Sequence, residues 1–209
     1  MEEIFKMWGT NEVEWVQNGN DNKFGGVLIM WRKKCFLLHN AFNGNNYSII
    51  SEGGWRIGDA SQVTFVNMYN SGHLSVRRVV WDEVRERRRV TNFKAWCVAG
   101  DFNSIRRAEE RRNARVDGDY RREMRRFNDF IEGTKLFDIP MRGRNYMWYK
   151  PNGLIKSRID KCLVSKEWLD KWPSCRYQIE DRLVSDHCAL ILDSFVLDWG
   201  LKPFRCLDV

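Results

Sequence analysis

A change of hydrophobic period along the chain is what most restricts its fold. From Glu12 to Tyr69 the apolar residues come in short runs or alternate with polar ones, over Glu12 to Gln17, Val27 to Trp31, Cys35 to Phe42, Tyr47 to Ser51 and Gln62 to Tyr69. Runs of this length, separated by turn formers such as Gly25-Gly26, Asn43-Gly44-Asn45 and Gly53-Gly54, predict strands joined in hairpins. Between His73 and Arg89 the period lengthens. Val76, Val79, Val80, Trp81 and Val84 share one stripe opposite Arg77, Arg78, Glu83 and Arg87, which predicts an amphipathic helix. A brief strand, Lys94 to Ala99, then runs straight into Gly100-Asp101. A second helix follows over Asp119 to Gly133, with Tyr120, Met124, Phe127, Phe130 and Ile131 on its apolar side and Gly133 as its end cap. Tyr146 to Tyr149, Ser157 to Val164, Cys175 to Ile179 and Cys188 to Leu192 read as four further strands, with a short helix over Lys166 to Lys171.

Strands and helices in alternation predict an α/β (α+β) domain built on two sheets. No repeat or linker divides the 209 residues, so residues 1–195 read as one domain and 196–209 as a tail. A formal charge of +7 favours a polyanionic partner. The six cysteines show no Cys-x-x-Cys pair and no zinc-finger spacing, and read as reduced thiols. With no apolar run of membrane-spanning length and no signal-peptide core at Met1 to Trp8, the expectation is a soluble intracellular protein.

Two places concentrate chemistry. Asp101 stands where a buried strand meets a loop, and Asn103 follows two residues later; in an extended segment both side chains face one way and converge on one phosphate. The competing reading is a plain Asx turn. Asp186-His187 opens a later strand, and His187 is one of three histidines in the chain. A carboxylate such as Asp160 could hold its tautomer and keep it protonated against a phosphate, the competing reading being a structural histidine.

Five blocks occur in order: Gly25 to Trp31, Val66-Asn67-Met68-Tyr69, Gly100-Asp101-Phe102-Asn103, Ser157-Arg158-Ile159-Asp160 and Ser185-Asp186-His187. With them the chain resembles the endonuclease/exonuclease/phosphatase superfamily, and within it the apurinic/apyrimidinic-like endonuclease domain of plant LINE-type non-LTR retrotransposons. The resemblance implies a DNase I-like four-layer sandwich of two β-sheets flanked by helices, acting on DNA with Mg²⁺ or Mn²⁺. It implies that Asp101 positions the attacking water, Asn103 holds the phosphate, Asp186 and Asp101 serve the metal, and His187 contacts the scissile phosphate. Asp160 would orient His187, and Tyr69 would donate to phosphate, against the alternative of a strand-end Tyr packed on the core. A reverse transcriptase domain is the implied companion in a parent element, and the nucleus the implied place of work.

The family's opening strands, including one that ends in a metal-binding Glu, have no counterpart here, so the resemblance implies a domain lacking its first strands and an impaired metal site. Glu2 and Glu3 precede a helical turn and do not replace that Glu. Arg106, Arg107, Arg111 and Arg112 open an arginine-rich stretch that runs to Arg126. It reads either as a phosphate-tracking surface or as a solvated face compensated by Glu109, Glu110, Asp117, Asp119 and Glu123. Three functions remain open: a DNA endonuclease, a non-catalytic remnant that still binds nucleic acid, and a phosphatase of the same superfamily.

Overall fold

A computed structural model describes residues 4, 6, 8–19, 26–45, 47–58, 60–114, 117–143, 145–151, 153–180 and 185–194. Glu2, Glu3, Gly25, Arg115 and the tail 196–209 lie outside them. The first five strands are β1 (Val13–Gly19), β2 (Gly26–Arg32), β3 (Phe36–Gly44), β4 (Ser48–Trp55) and β5 (Ser61–Tyr69). Helix α1 (Leu74–Val90), β6 (Ala95–Asp101), β7 (Arg111–Arg112), α2 (Gly118–Thr134), β8 (Leu136–Asp138) and β9 (Met141–Arg142) follow. The rest is β10 (Trp148–Tyr149), β11 (Lys156–Ser157), β12 (Asp160–Ser165), α3 (Lys166–Lys171), β13 (Arg176–Ile179) and β14 (Leu190–Asp193).

The centre is a six-stranded mixed sheet in the order β3–β4–β5–β6–β12–β8, in which β5 and β6 run parallel and the other pairs antiparallel. Helices α1 and α2 cover one face. Val80, Trp81 and Val84 of α1 meet Phe127, Phe130 and Ile131 of α2 above Val66, Val98 and Leu163 of the sheet. Each such buried side chain contributes roughly 1.5–3 kcal/mol. The Trp81 ring stacks on Phe127 and Phe130 with centroids 5.3 and 5.7 Å away, which sets the two helices side by side. Over the other face lie two separate small sheets, β1–β2 and β14–β13–β9. The β1–β2 hairpin is tied down by Asn18 Nδ2, which donates to Ser48 O at 2.9 Å, and by Asn67 Nδ2, which donates to Leu28 O at 2.9 Å.

Several local expectations are corrected. Gly53-Gly54 is no turn but lies inside β4, because a Cβ on Gly53 would stand 2.1 Å from Leu37 O and 2.6 Å from the Phe36 ring that packs over it. Helix α2 is not capped by Gly133; Lys135 takes the left-handed conformation at φ 52, and Thr134 Oγ1 donates to Phe130 O at 2.7 Å in the last turn. Its start is fixed by Asp117, whose side chain accepts from Asp119 N and Tyr120 N at 3.1 Å. The single strand expected over Ser157 to Val164 is broken at Arg158-Ile159 into β11 and β12, which belong to different sheets.

Arg158 sits in that break and turns inward. It donates to Glu110 Oε1 at 3.1 Å, to Asp138 Oδ1 at 2.8 Å and to the Tyr177 hydroxyl at 2.7 Å. Lys161, fully buried in β12, donates to the other Glu110 oxygen at 2.7 Å. These ion pairs fasten the loop after β6 to the middle of the sheet, because two buried cations leave Glu110 no cheaper partner than themselves.

At the far end of β6, Gly100 has φ +129, and a Cβ there would lie 2.1 Å from Met68 O in β5. Gly100→Ala should therefore cost about 2–4 kcal/mol through backbone strain and overpacking. Urea denaturation checks this, and an unchanged midpoint would refute the close approach.

Candidate active site

The strand register places three of the expected residues in one row. Tyr69 pairs with Asp101 across β5 and β6, and Asp160 pairs with Asp101 across β6 and β12. All three stand at strand ends, and both carboxylates are buried while half of Tyr69 is exposed, so Tyr69 is not packed into the core. Beyond Asp101 the chain turns at once. Phe102 N donates to Ile159 O at 3.0 Å, and Asn103 adopts the left-handed conformation at φ 48 with its N–H donating to Asp101 Oδ1 at 2.7 Å. The expected extended segment is thus an Asx turn, and it is the turn that brings Asn103 to the site. Asn103 Nδ2 donates to Asn70 O at 3.4 Å, and the Asn103 carbonyl accepts from the buried Arg77, which also reaches Ser104 Oγ at 3.2 Å and Glu123 at 2.8 Å. A helix-borne arginine therefore fixes the turn from beneath.

His187 does not open a strand as expected but precedes β14 in a loop held by the segment around β10. Tyr149 N donates to Asp186 O at 3.1 Å, Cys188 N donates to Met147 O at 2.8 Å, and Trp148 and His187 form an isolated bridge. The imidazole Nδ1 lies 3.0 and 2.9 Å from the two Asp160 oxygens, and Nε2 lies 4.0 Å from Asp101 Oδ2. Asp160 thereby holds the proton on Nδ1 and points Nε2 past Asp101. Asp186 accepts from the Trp148 indole N–H at 2.9 Å.

Electrostatics follow from this placement. Burial, and then the charge of Asp160, push the Asp101 carboxyl up to about 6, against the Asn103 N–H and the positive charges of His187 and Arg77. Burial works against a charged His187, but the Asp160 hydrogen bond and the charges of Asp160, Asp101 and Asp186 outweigh it and raise the imidazole above its ordinary value.

A cleft of about 460 Å³ opens over this row, with Tyr69, Asp101, Asn103, Asp186 and His187 in its wall. It is also lined by Arg111, Tyr120, Trp148 and Ser157. The sequence places Tyr120 on the apolar stripe of α2 and Ser157 in the block with Asp160, and the structure brings both to the cleft wall. Of the arginines, Arg106 is turned inward, donating to Asn128 Oδ1 at 3.0 Å and pairing with Asp138 at 3.5 Å. Arg107 and Arg112 are exposed.

Among the described residues no three His, Cys, Asp or Glu side chains converge as a metal cage. The donors fit a looser arrangement: Asp101 and Asp186 line one cleft. Mg²⁺ favours this mode, one or two carboxylates with water and phosphate completing the shell.

Because the folded protein holds the Asp101 proton more tightly than the unfolded chain, this group's contribution to stability is complete below 3.8 and lost as pH rises through about 6. Asp101→Asn removes the loss. In chelator, the variant should be more stable than the parent by about 1–3 kcal/mol at pH 8, with little gain at pH 4. Thermal denaturation at the two pH values checks this, and an equal effect at both would contradict it.

No protein-family model and no curated protein matches the sequence. Solved structures do. The 3' phosphatase NExo from Neisseria, bound to a product DNA hairpin, superposes with a TM-score of 0.66 at 17% identity over 91% of this chain and 81% of its own. The endonuclease domain of TRAS1, a telomere-specific non-LTR retrotransposon, gives 0.65 at 12% identity over 88% and 79%. An endonuclease/exonuclease/phosphatase family protein from Bacteroides thetaiotaomicron gives 0.60 at 17% identity over 90% and 76%. At such identities the likeness is one of architecture: the chain has the α+β fold, mixed β-sheets flanked by helices, of the endonuclease/exonuclease/phosphatase proteins.

Proposed function

We propose that the chain is a retrotransposon-derived endonuclease domain whose site is built to hydrolyse phosphodiesters in DNA, with Mg²⁺ or Mn²⁺. The observation that carries this reading is the Asp160–His187–Asp101 chain of contacts, closed at 2.9 and 4.0 Å on adjacent strand ends beneath one cleft. Asp101, at a buried strand end in the cleft wall, is placed to position and deprotonate the nucleophile. His187, kept protonated by Asp160, presents Nε2–H to a phosphate oxygen and stabilises the charge that builds there. The Asn103 amide and the Tyr69 hydroxyl supply two further donors in the same wall. Asp101 and Asp186 would hold the cation, which when bound neutralises phosphate charge.

The reading includes an impaired metal site, in which Asp101 and Asp186 are the two carboxylates of the cleft wall. The lack of a third acidic ligand among the described residues favours a second reading, a remnant that binds nucleic acid without turnover.

Supercoiled plasmid separates the two. The purified protein should convert it to the nicked form in Mg²⁺ and not in chelator, and His187→Ala and Asp101→Ala should each lower the rate at least 100-fold, on the order of what loss of one proton-transfer or oxyanion donor costs. Salt-sensitive DNA binding without any nicking establishes the remnant, and preferential hydrolysis of small phosphomonoesters establishes a phosphatase.

A further inference from the structure

Among the described residues, two polar groups in the cleft wall have no hydrogen-bond partner. Ser157 is 1% exposed, and its Oγ has no hydrogen-bond partner; the buried Nε of Arg111 has none either. They face each other in the ladder, since Ser157 pairs with Arg111 across β11 and β7. The Arg111 guanidinium rests on the Tyr120 ring, 4.6 Å from its centroid, and none of the ion pairs among the described residues involves it. Its neighbours in sequence differ. Arg106 is spent on Asn128 and Asp138, and Glu110 is taken by Arg158 and Lys161. A guanidinium braced by an aromatic ring and without an ion-pair partner among the described residues, next to an orphaned hydroxyl, is a donor set waiting for an acceptor.

We propose that Arg111 and Ser157, backed by Tyr120, form a second phosphate subsite, which takes the phosphodiester next to the one that reacts. This deepens the endonuclease reading and rests on it. Main-chain pairing joins this subsite to the Asp101–His187 centre: β11 also pairs with β10, and Trp148 of β10 is bridged to His187. A substrate that fills both places carries two phosphates along one strand, so the subsite selects a polynucleotide over a small phosphomonoester. The planar guanidinium takes two phosphate oxygens at once, and the Ser157 hydroxyl donates to one of them.

The test is a binding cycle on a short labelled DNA duplex in metal-free buffer at low salt, read by fluorescence anisotropy. Each phosphate in turn is replaced by a neutral methylphosphonate. Arg111→Gln should weaken binding roughly tenfold and flatten the dependence on log salt by about one ion. One methylphosphonate position should weaken binding of the parent protein by a similar factor and have no further effect in Arg111→Gln. Ser157→Ala should give a smaller loss at that same position. Should Arg111→Gln fail to fold by circular dichroism, Arg111→Lys carries the cycle, with partial retention of affinity expected. The subsite is overturned if Arg111→Gln responds to every neutralised position as the parent does, or if the parent does not bind the duplex. Coupling without plasmid nicking keeps the subsite and removes the catalytic reading; nicking without coupling does the reverse.

Discussion

Everything at the site depends on the register between β6 and β12. Pairing Asp160 directly with Asp101 sets two carboxylates side by side at buried strand ends. Burial, and the charge of Asp160 beside it, disfavour the charge on Asp101. A cation is needed, and His187 supplies one by bonding Asp160 while reaching toward Asp101. A slip of one residue would turn Asp101 to the opposite face of the sheet and dissolve the arrangement. The register is protected by what lies behind it: Cys97, Val98 and Ala99 pair with Val164, Leu163 and Cys162 in the middle of the core.

Asn103, Asp186 and His187 of the cleft are carried on turns, yet each turn is pinned by a more rigid element. Arg77 of α1 holds the Asn103 turn, and Glu123 of α2 holds Arg77. The loop with Asp186 and His187 is zipped to Met147, Trp148 and Tyr149. Positions fixed in this way would lose little freedom on binding a ligand.

Much of this could be read in the sequence. The period change marked both long helices, and the apolar run ending at Asp101 marked the strand end that bears the acid. Asp101, Asp160, His187 and Tyr69, chosen by resemblance, do meet in one place. The order of pairing was out of reach, because antiparallel contacts between residues some sixty positions apart leave no local trace. The Gly53-Gly54 pair shows why glycine misleads: the same residue serves a turn and a strand crossed by a ring, and only the neighbouring Phe36 decides. The arginines show a similar limit. Charge patterning counted Arg106 and Arg111 as equals, whereas one is locked among Asn128 and Asp138 and the other stands in the cleft.

The buried pair of Lys161 with Glu110 also ties the two walls of the cleft together. Lys161 sits in a central strand, and leaving its ammonium there without Glu110 would cost several kcal/mol. The loop that carries Glu110 leads directly into Arg111, and β12 begins with Asp160. Loss of this one carboxylate would therefore loosen both walls at once, although it lies in neither.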